Sequence, residues 1–318
     1  MRTFSKATIG RLLFGFLSGV LSLAAQTAKP MSQPHAVSAS PLWVTKAVTA
    51  PRVTHHVFTS KSAKAEVSYH LYRPAAYEAD GGRRFPVVYW LHGSGGGLPG
   101  ISSVARRFDA AIEAGKLPPC LVVFVNGLEM GMYVDWADGS APVESMIIRD
   151  LLPHIDATYR TIAKREGRLL DGFSMGGYGA GRFGFRYPEL FQNVSMMGAG
   201  PMQETLDRTP RASSVQAKSL LRDVYGGKQA RFLAVSPRRY AEQNATTLAR
   251  GSRLRLVIGD RDETFDSNRN FHDHLMRLGI PHQWIVLPGI GHDPMGVLAA
   301  MGDQHWAFYR DAFAAVVV

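Results

Sequence analysis

Gly172-Phe173-Ser174-Met175-Gly176-Gly177 is the stretch on which the reading of this chain turns. It follows the apolar Arg168-Leu169-Leu170 and precedes a segment of helical character, Tyr178 to Tyr187, so it sits where a strand passes into a helix. A serine with glycines at minus two and plus two is the G-x-S-x-G pattern of a sharp strand-to-helix elbow that exposes a hydroxyl above a sheet. Gly172 and Gly176 lack a β-carbon, so strand and helix can cross closely while Ser174 is driven into a strained turn. The next N–H, from Met175, then lies at a helix N-terminus and points where a negative oxygen would form. In a chain with 32 glycines the pattern also arises by chance. The rest of the chain therefore has to supply a base, an acid and a second N–H donor in the right order.

Working outward, Val67, Tyr69 and Leu71 alternate with polar neighbours, which predicts a strand over Glu66 to Arg73. Phe85 to Leu91 and Cys120 to Val125 are continuously apolar, as central strands covered on both faces are. Val143 to Tyr159 has helical spacing, with Pro153 expected to kink it. Downstream of the elbow, Asn193 to Met197, Arg253 to Ile258 and Gln283 to Leu287 read as strands, and Ser267 to Leu278 and Met295 to Phe313 as helices. Residues 201 to 250 are polar and broken by Pro210 and Pro237. They read as a helical cap, with Arg208, Arg211, Arg238 and Arg239 on its exposed face. Strand and helix alternate, which predicts an α/β architecture: a mostly parallel central sheet with helices on both faces and a small helical cap insertion.

In such a sheet reactive groups collect at the carboxyl ends of the strands. Gly259-Asp260-Arg261-Asp262 follows one late strand and Pro288-Gly289-Ile290-Gly291-His292-Asp293 the last. Of the 11 histidines only His292 lies in a glycine-rich loop after a late buried strand. It is the candidate base for Ser174, because imidazole is the side chain whose pKa suits proton removal near neutrality. Asp260 and Asp262 are both candidates for the carboxylate that would orient it, and either could instead cap the following helix. His272 and His274 face different ways on a helix and make a poor metal pair. His55 and His56 precede the predicted fold, and His154 and His305 read as surface or satisfied core residues. The loop Leu91-His92-Gly93-Ser94-Gly95-Gly96-Gly97 does not complete a phosphate-binding pattern. It fits instead a loop whose backbone N–H groups, Ser94 foremost, complete an oxyanion site with Met175, while His92 props it.

The first residues carry Arg2, Lys6 and Arg11, then an apolar run from Leu12 to Ala25 and small residues to Ala28. This predicts a signal peptide over 1–25, a secreted (periplasmic or extracellular) protein, a flexible lead-in over 26–52 and one domain over 53–318. The run is shorter than the roughly 20 residues a membrane span needs, so no stable membrane anchor is expected. Cys120 is the only cysteine, so no internal disulfide can form, and its apolar setting predicts a buried small hydrophobe. A formal net charge of +10 is scattered rather than gathered into a basic tract with aromatics, which argues against a nucleic-acid partner.

These pieces together resemble the esterase D-type branch of the α/β-hydrolases, which includes feruloyl and acetyl-xylan esterases, S-formylglutathione hydrolases and mycolyltransferases. The resemblance covers roughly residues 53 to 315. It is carried by Leu91-His92-Gly93, by Ile147 to Asp156 leading to Tyr159-Arg160-Thr161, by Gly172 to Gly177, by Tyr187-Pro188-Glu189-Leu190-Phe191 and by Gly259-Asp260-Arg261-Asp262. The run Gly95 to Gly97 departs from it and makes that loop more flexible. The resemblance implies the α/β-hydrolase fold, Asp262 as the acid, and the Ser94 and Met175 amides as oxyanion donors, with no metal or organic cofactor. It implies a serine esterase forming an acyl-enzyme. Feruloyl or acetyl esters on polysaccharide fit an exported member, with Tyr133 and Trp136 as candidate walls of an acyl pocket. Acyl transfer through the same intermediate and a catalytically silent binding module are the alternatives.

Overall fold

Side chains alternate across a strand, so an apolar run in a covered sheet feeds two cores at once. In β3 (Val87–Leu91), Val87, Tyr89 and Leu91 enter one core while Val88 and Trp90 enter the other. The computed structural model describes residues 41–207 and 209–317. The predicted signal peptide, residues 26–40 of the lead-in and Arg208 lie outside the described residues. The other strands are β1 (Val53–Ser60), β2 (Ala65–Tyr72), β4 (Leu121–Val125), β5 (Arg168–Phe173), β6 (Asn193–Met197), β7 (Arg253–Gly259) and β8 (Gln283–Leu287). They form one eight-stranded sheet in the order β1-β2-β4-β3-β5-β6-β7-β8. β1, β2 and β4 pair antiparallel, and every other pairing is parallel.

The helices are α1 (Ala75–Ala79), α2 (Leu98–Glu113), α3 (Val143–Ser145), α4 (Leu152–Thr158), α5 (Met175–Arg186), α6 (Ser214–Tyr225), α7 (Gln229–Ala234), α8 (Pro237–Gly251), α9 (Phe265–Arg277) and α10 (Pro294–Phe313). Helices α2 and α10 cover one face, and α4, α5, α8 and α9 share the core of the other. This is the predicted two-faced architecture. Among the described residues no helix is long and apolar enough to cross a membrane. Cys120 is fully buried, and burial pushes its thiol pKa up, which suits a core hydrophobe rather than a nucleophile.

Several expectations are corrected. The lead-in is docked from residue 41 on: Trp43 is buried, its carbonyl accepts from the N–H of Ser68 at 2.8 Å, and the Thr45 N–H donates to Ser68 Oγ at 2.8 Å. A stretch without periodicity lies flat along β2, its backbone groups satisfied one at a time. His55 and His56 are part of the fold, on edge strand β1 opposite His70 and Tyr69. The kink expected at Pro153 is absorbed just before it, where Met146–Leu151 winds as a π-helix. Proline supplies no N–H to the carbonyl four residues back, and the wider turn accommodates this. In the cap, α8 packs on the sheet side with α5, so Arg238 is 8 % exposed rather than on the open face, with Glu204 3.5 Å away. Arg211 and Arg239 are exposed as expected.

Burial of imidazoles gives the fold a pH dependence. Burial lowers the pKa of His56, His92, His154 and His305, and takes that of His70 down to about 4. Each is held neutral in the folded chain but titrates near 6.5 once unfolded. The unfolded chain therefore binds more protons below that value, and stability is lost as pH falls from about 6.5 toward 4. Asp171, whose carboxyl burial pushes up, acts in the opposite sense but is a single group. Tm measured by calorimetry is expected to fall steadily between pH 7 and 4.5; a flat profile would contradict this account.

Candidate active site

The elbow forms for the steric reason that its glycines suggest. A β-carbon at Gly176 would lie 1.9 Å from the carbonyl oxygen of Leu91, and one at Gly172 would lie 2.5 Å from the Gly176 backbone. No other residue fits where β5, β3 and α5 converge. The turn holds Ser174 at φ 60°, ψ −120°, a region side chains rarely adopt. Its backbone is pinned on both sides: the N–H donates to Met197 O at 3.0 Å, and the carbonyl accepts from Gly200 N at 3.1 Å. The hydroxyl is left at the carboxyl rim of the sheet.

Two other strand ends meet it there. His292 Nε2 lies 2.9 Å from Ser174 Oγ, and His292 Nδ1 lies 2.7 Å from Asp262 Oδ2. The second oxygen of Asp262 accepts from both the N–H and the hydroxyl of Thr264, each at 2.7 Å. Burial pushes the Asp262 carboxyl up, but the bonds from His292 and Thr264 outweigh it and hold the group below the usual carboxylate range. It is thus an anion facing the Nδ1–H, leaving Nε2 free to take a proton from Ser174. The structure brings together Ser174, Asp262 and His292, and it separates the two aspartates: Asp260 Oδ1 accepts from Gly289 N at 2.7 Å and braces the histidine loop from outside.

The glycine-rich loop after β3 runs beside the serine; a β-carbon on Gly93 would touch Ser174 Cβ at 3.4 Å. Ser94, next in the chain, is exposed. No partner among the described residues takes the N–H of Ser94 or of Met175, whereas the neighbouring Gly95 N–H is committed to Glu129 O at 2.8 Å. His92 supports the loop as expected. Its Nε2 accepts from Gly127 N at 3.1 Å, which leaves Nδ1 to donate to Gly93 O at 2.6 Å, and burial holds it neutral.

Tyr133 does not line an acyl pocket. It is fully buried beneath the loop, and its hydroxyl donates to His92 O at 2.9 Å. Trp136 is half-buried and packs against the core. Behind the elbow, Arg182 on α5 is 1 % exposed and donates to Tyr133 O at 2.7 Å, to Val235 O at 2.8 Å and to Glu144 Oε2 at 2.5 Å. It ties the loop support and the cap to the elbow helix. A cavity of about 240 Å³ lies across the glycine loop, walled in part by Tyr69, Trp90, His92, Gly96, Leu98 and Phe124, with Ser174 outside its walls.

Asp262, Glu263 and His292 offer atoms within 4.8 Å of one another, close enough for a metal ion. The donor set does not fit one. Both oxygens of Asp262 and both ring nitrogens of His292 already have partners, and Glu263 pairs with Arg211 at 2.8 Å. The sequence reading missed the buried charges Asp171 and Arg255, and Arg182 with Glu144; the signal for the first two was there, since Asp171 and Arg255 each stand between apolar residues inside a central strand.

A parallel sheet carrying a serine elbow after β5, a carboxylate after β7 and a histidine after β8 defines the α/β-hydrolase class. Residues 60–317 match the family model described as "Putative esterase", and the chain belongs to that esterase family. It is 30 % identical over 269 residues to Esterase Rv1288 of Mycobacterium tuberculosis (strain ATCC 25618 / H37Rv), covering 76 % of this chain and 56 % of the relative. The chain thus spans little more than half the length of that relative. A 30 % match over 138 residues, 41 % of this chain and 18 % of the other, is to an endo-1,4-beta-xylanase/feruloyl esterase of Xylanibacter ruminicola. Among solved structures, a ferulic acid esterase superposes with a TM-score of 0.67 at 25 % identity, covering 82 % of this chain and 98 % of that one.

Proposed function

We propose that this chain is an exported serine hydrolase of carboxylic esters. The observation that carries the reading is the continuous relay of 2.9 and 2.7 Å from Ser174 through His292 to Asp262. In this reading His292 takes the Ser174 proton as Oγ attacks the ester carbonyl. The developing oxyanion is received by the Ser94 and Met175 amides, the latter at the N-terminus of a 12-residue helix. The alcohol leaves with the proton from His292, and water, activated in turn by His292, hydrolyses the acyl-enzyme. Asp262 holds the ring in the tautomer that both steps need.

Feruloyl or acetyl esters of polysaccharide are the substrate class we favour. Two similar proteins are a feruloyl esterase and a ferulic acid esterase by name, which supports an aromatic acyl group, and the basic and apolar leader supports action outside the cytosol, where polysaccharide lies. The test combines a fluorophosphonate probe with a panel of acetyl, butyryl and feruloyl esters. Labelling of one serine and turnover fastest on feruloyl or acetyl arabinoxylan fragments are expected. Absence of labelling would favour a binding module, and transfer to an added sugar in preference to water would make the chain an acyltransferase. N-terminal sequencing of exported protein is expected to begin between Ala25 and Ala28; retention in the cytosol would overturn the export reading.

A further inference from the structure

Beneath the elbow lies a charged row that the proposed chemistry does not use. Asp171 on β5 is in register with Ser195 on β6, and Ser195 with Arg255 on β7, so the three line up across neighbouring strands. All are fully buried. Arg255 Nε donates to Ser195 Oγ at 2.8 Å, and its Nη2 lies 3.4 Å from Asp171 Oδ2. Helix α10 closes the row: the Tyr309 hydroxyl donates to Asp171 Oδ2, and Arg255 donates to His305 at Nδ1 (2.9 Å) and at the carbonyl (3.2 Å). The other oxygen of Asp171 accepts from Gly172 N at 2.8 Å, the first residue of the elbow.

Stability alone does not account for such a row. Burying ions is costly, and apolar residues of similar volume are often as stable or more so. What the row possesses is reach. β5 runs into Ser174 and β7 into the turn bearing Asp262, while α10 begins at Pro294, just past His292, and bends at Gly302 before it reaches His305 and Tyr309. We propose that this row is a tie that fixes the three strand ends relative to one another, making Asp171, Arg255 and Tyr309 positioning residues for the Ser174–His292–Asp262 relay. The inference rests on the hydrolase reading. Burial pushes the Asp171 carboxyl up and the Arg255 guanidinium down, and each group draws the other back. Tyr309 and Ser195 share the negative end, so a single loss leaves a charge unmatched.

The test uses a double variant, Asp171→Asn with Arg255→Met, which removes both charges together, and Tyr309→Phe, which removes one hydroxyl. The wild-type chain is first shown to label with fluorophosphonate and to turn over ester; failure there would fail the hydrolase reading, not the tie. Rates are then expressed per labelled serine, so that unfolded protein does not count. The double variant is expected to lose about 10²-fold in kcat at unchanged KM, the scale of a 1 Å misplacement, and Tyr309→Phe several-fold. A proton spectrum is expected to show loss of the low-field imidazole N–H signal of the His292–Asp262 bond in the double variant. If that variant does not fold, the Tyr309→Phe rate and spectrum decide alone. Wild-type kcat per labelled serine with an unchanged low-field signal would reduce the row to a structural role and overturn the proposal.

Discussion

Ser174→Ala is expected to lower kcat on a short-chain chromogenic ester by about 10⁶-fold, the loss seen when the nucleophile of such a relay is removed. The reason is geometric. Ser174 Oγ is the only hydroxyl hydrogen-bonded to His292 Nε2, at 2.9 Å among the described residues. Water in its place would lack the covalent intermediate that divides the reaction into two easier steps. In the proposed mechanism, what survives would come from the Ser94 and Met175 amides and from binding. Labelling by fluorophosphonate should vanish in the same variant while circular dichroism and Tm stay as in the wild type. Ser174→Gly makes a sharper companion. At φ 60° and ψ −120° glycine relieves strain of about 1 kcal/mol, so this inactive variant should melt no lower than the parent. Turnover retained in either variant would remove Ser174 from the mechanism.

Asp262→Asn is expected to cost about 10⁴-fold in kcat with the fold intact. Thr264 dictates the outcome. Its N–H and hydroxyl both donate to Oδ1, so in the variant the amide carbonyl stays there and the amide NH₂ takes the Oδ2 position facing His292. Two donors cannot face each other, so Nδ1 must become an acceptor. The ring proton moves to Nε2, and the base that Ser174 needs is gone. Asp260→Asn provides the contrast. Its acceptor role toward Gly289 N survives in asparagine, and kcat should change less than about twofold, on the scale of an ordinary surface substitution. Equal losses from the two variants, measured as kcat/KM on the same ester, would reverse the assignment of the acid.

The elbow glycines and the runs that became β2 to β8 were legible because each is a local pattern, and the order serine, acid, histidine followed from reading the strand ends in sequence. A missing β-carbon or an apolar alternation acts on its immediate neighbours. Helix α2 and strand β1 went unread. The first starts inside a glycine-rich loop, and the second is an edge whose histidines find their partners only in β2. Tyr133 read as a pocket residue because aromatic character says nothing about which way a ring faces.

By itself, then, the sequence determined the class of fold, the turn that strains Ser174 and the three rims from which the relay is drawn. The residues left Asp260 and Asp262 open and the resemblance implied Asp262; only the tertiary structure put Asp262 against His292 and Asp260 outside the relay, set Tyr133 under the loop, and joined Asp171 to Arg255 across 84 residues. The physical reason is one of range. Steric preference and hydrophobic period are decided within a few residues, whereas a hydrogen bond between positions 118 apart, as from His292 to Ser174, exists only once the sheet has brought the strand ends together.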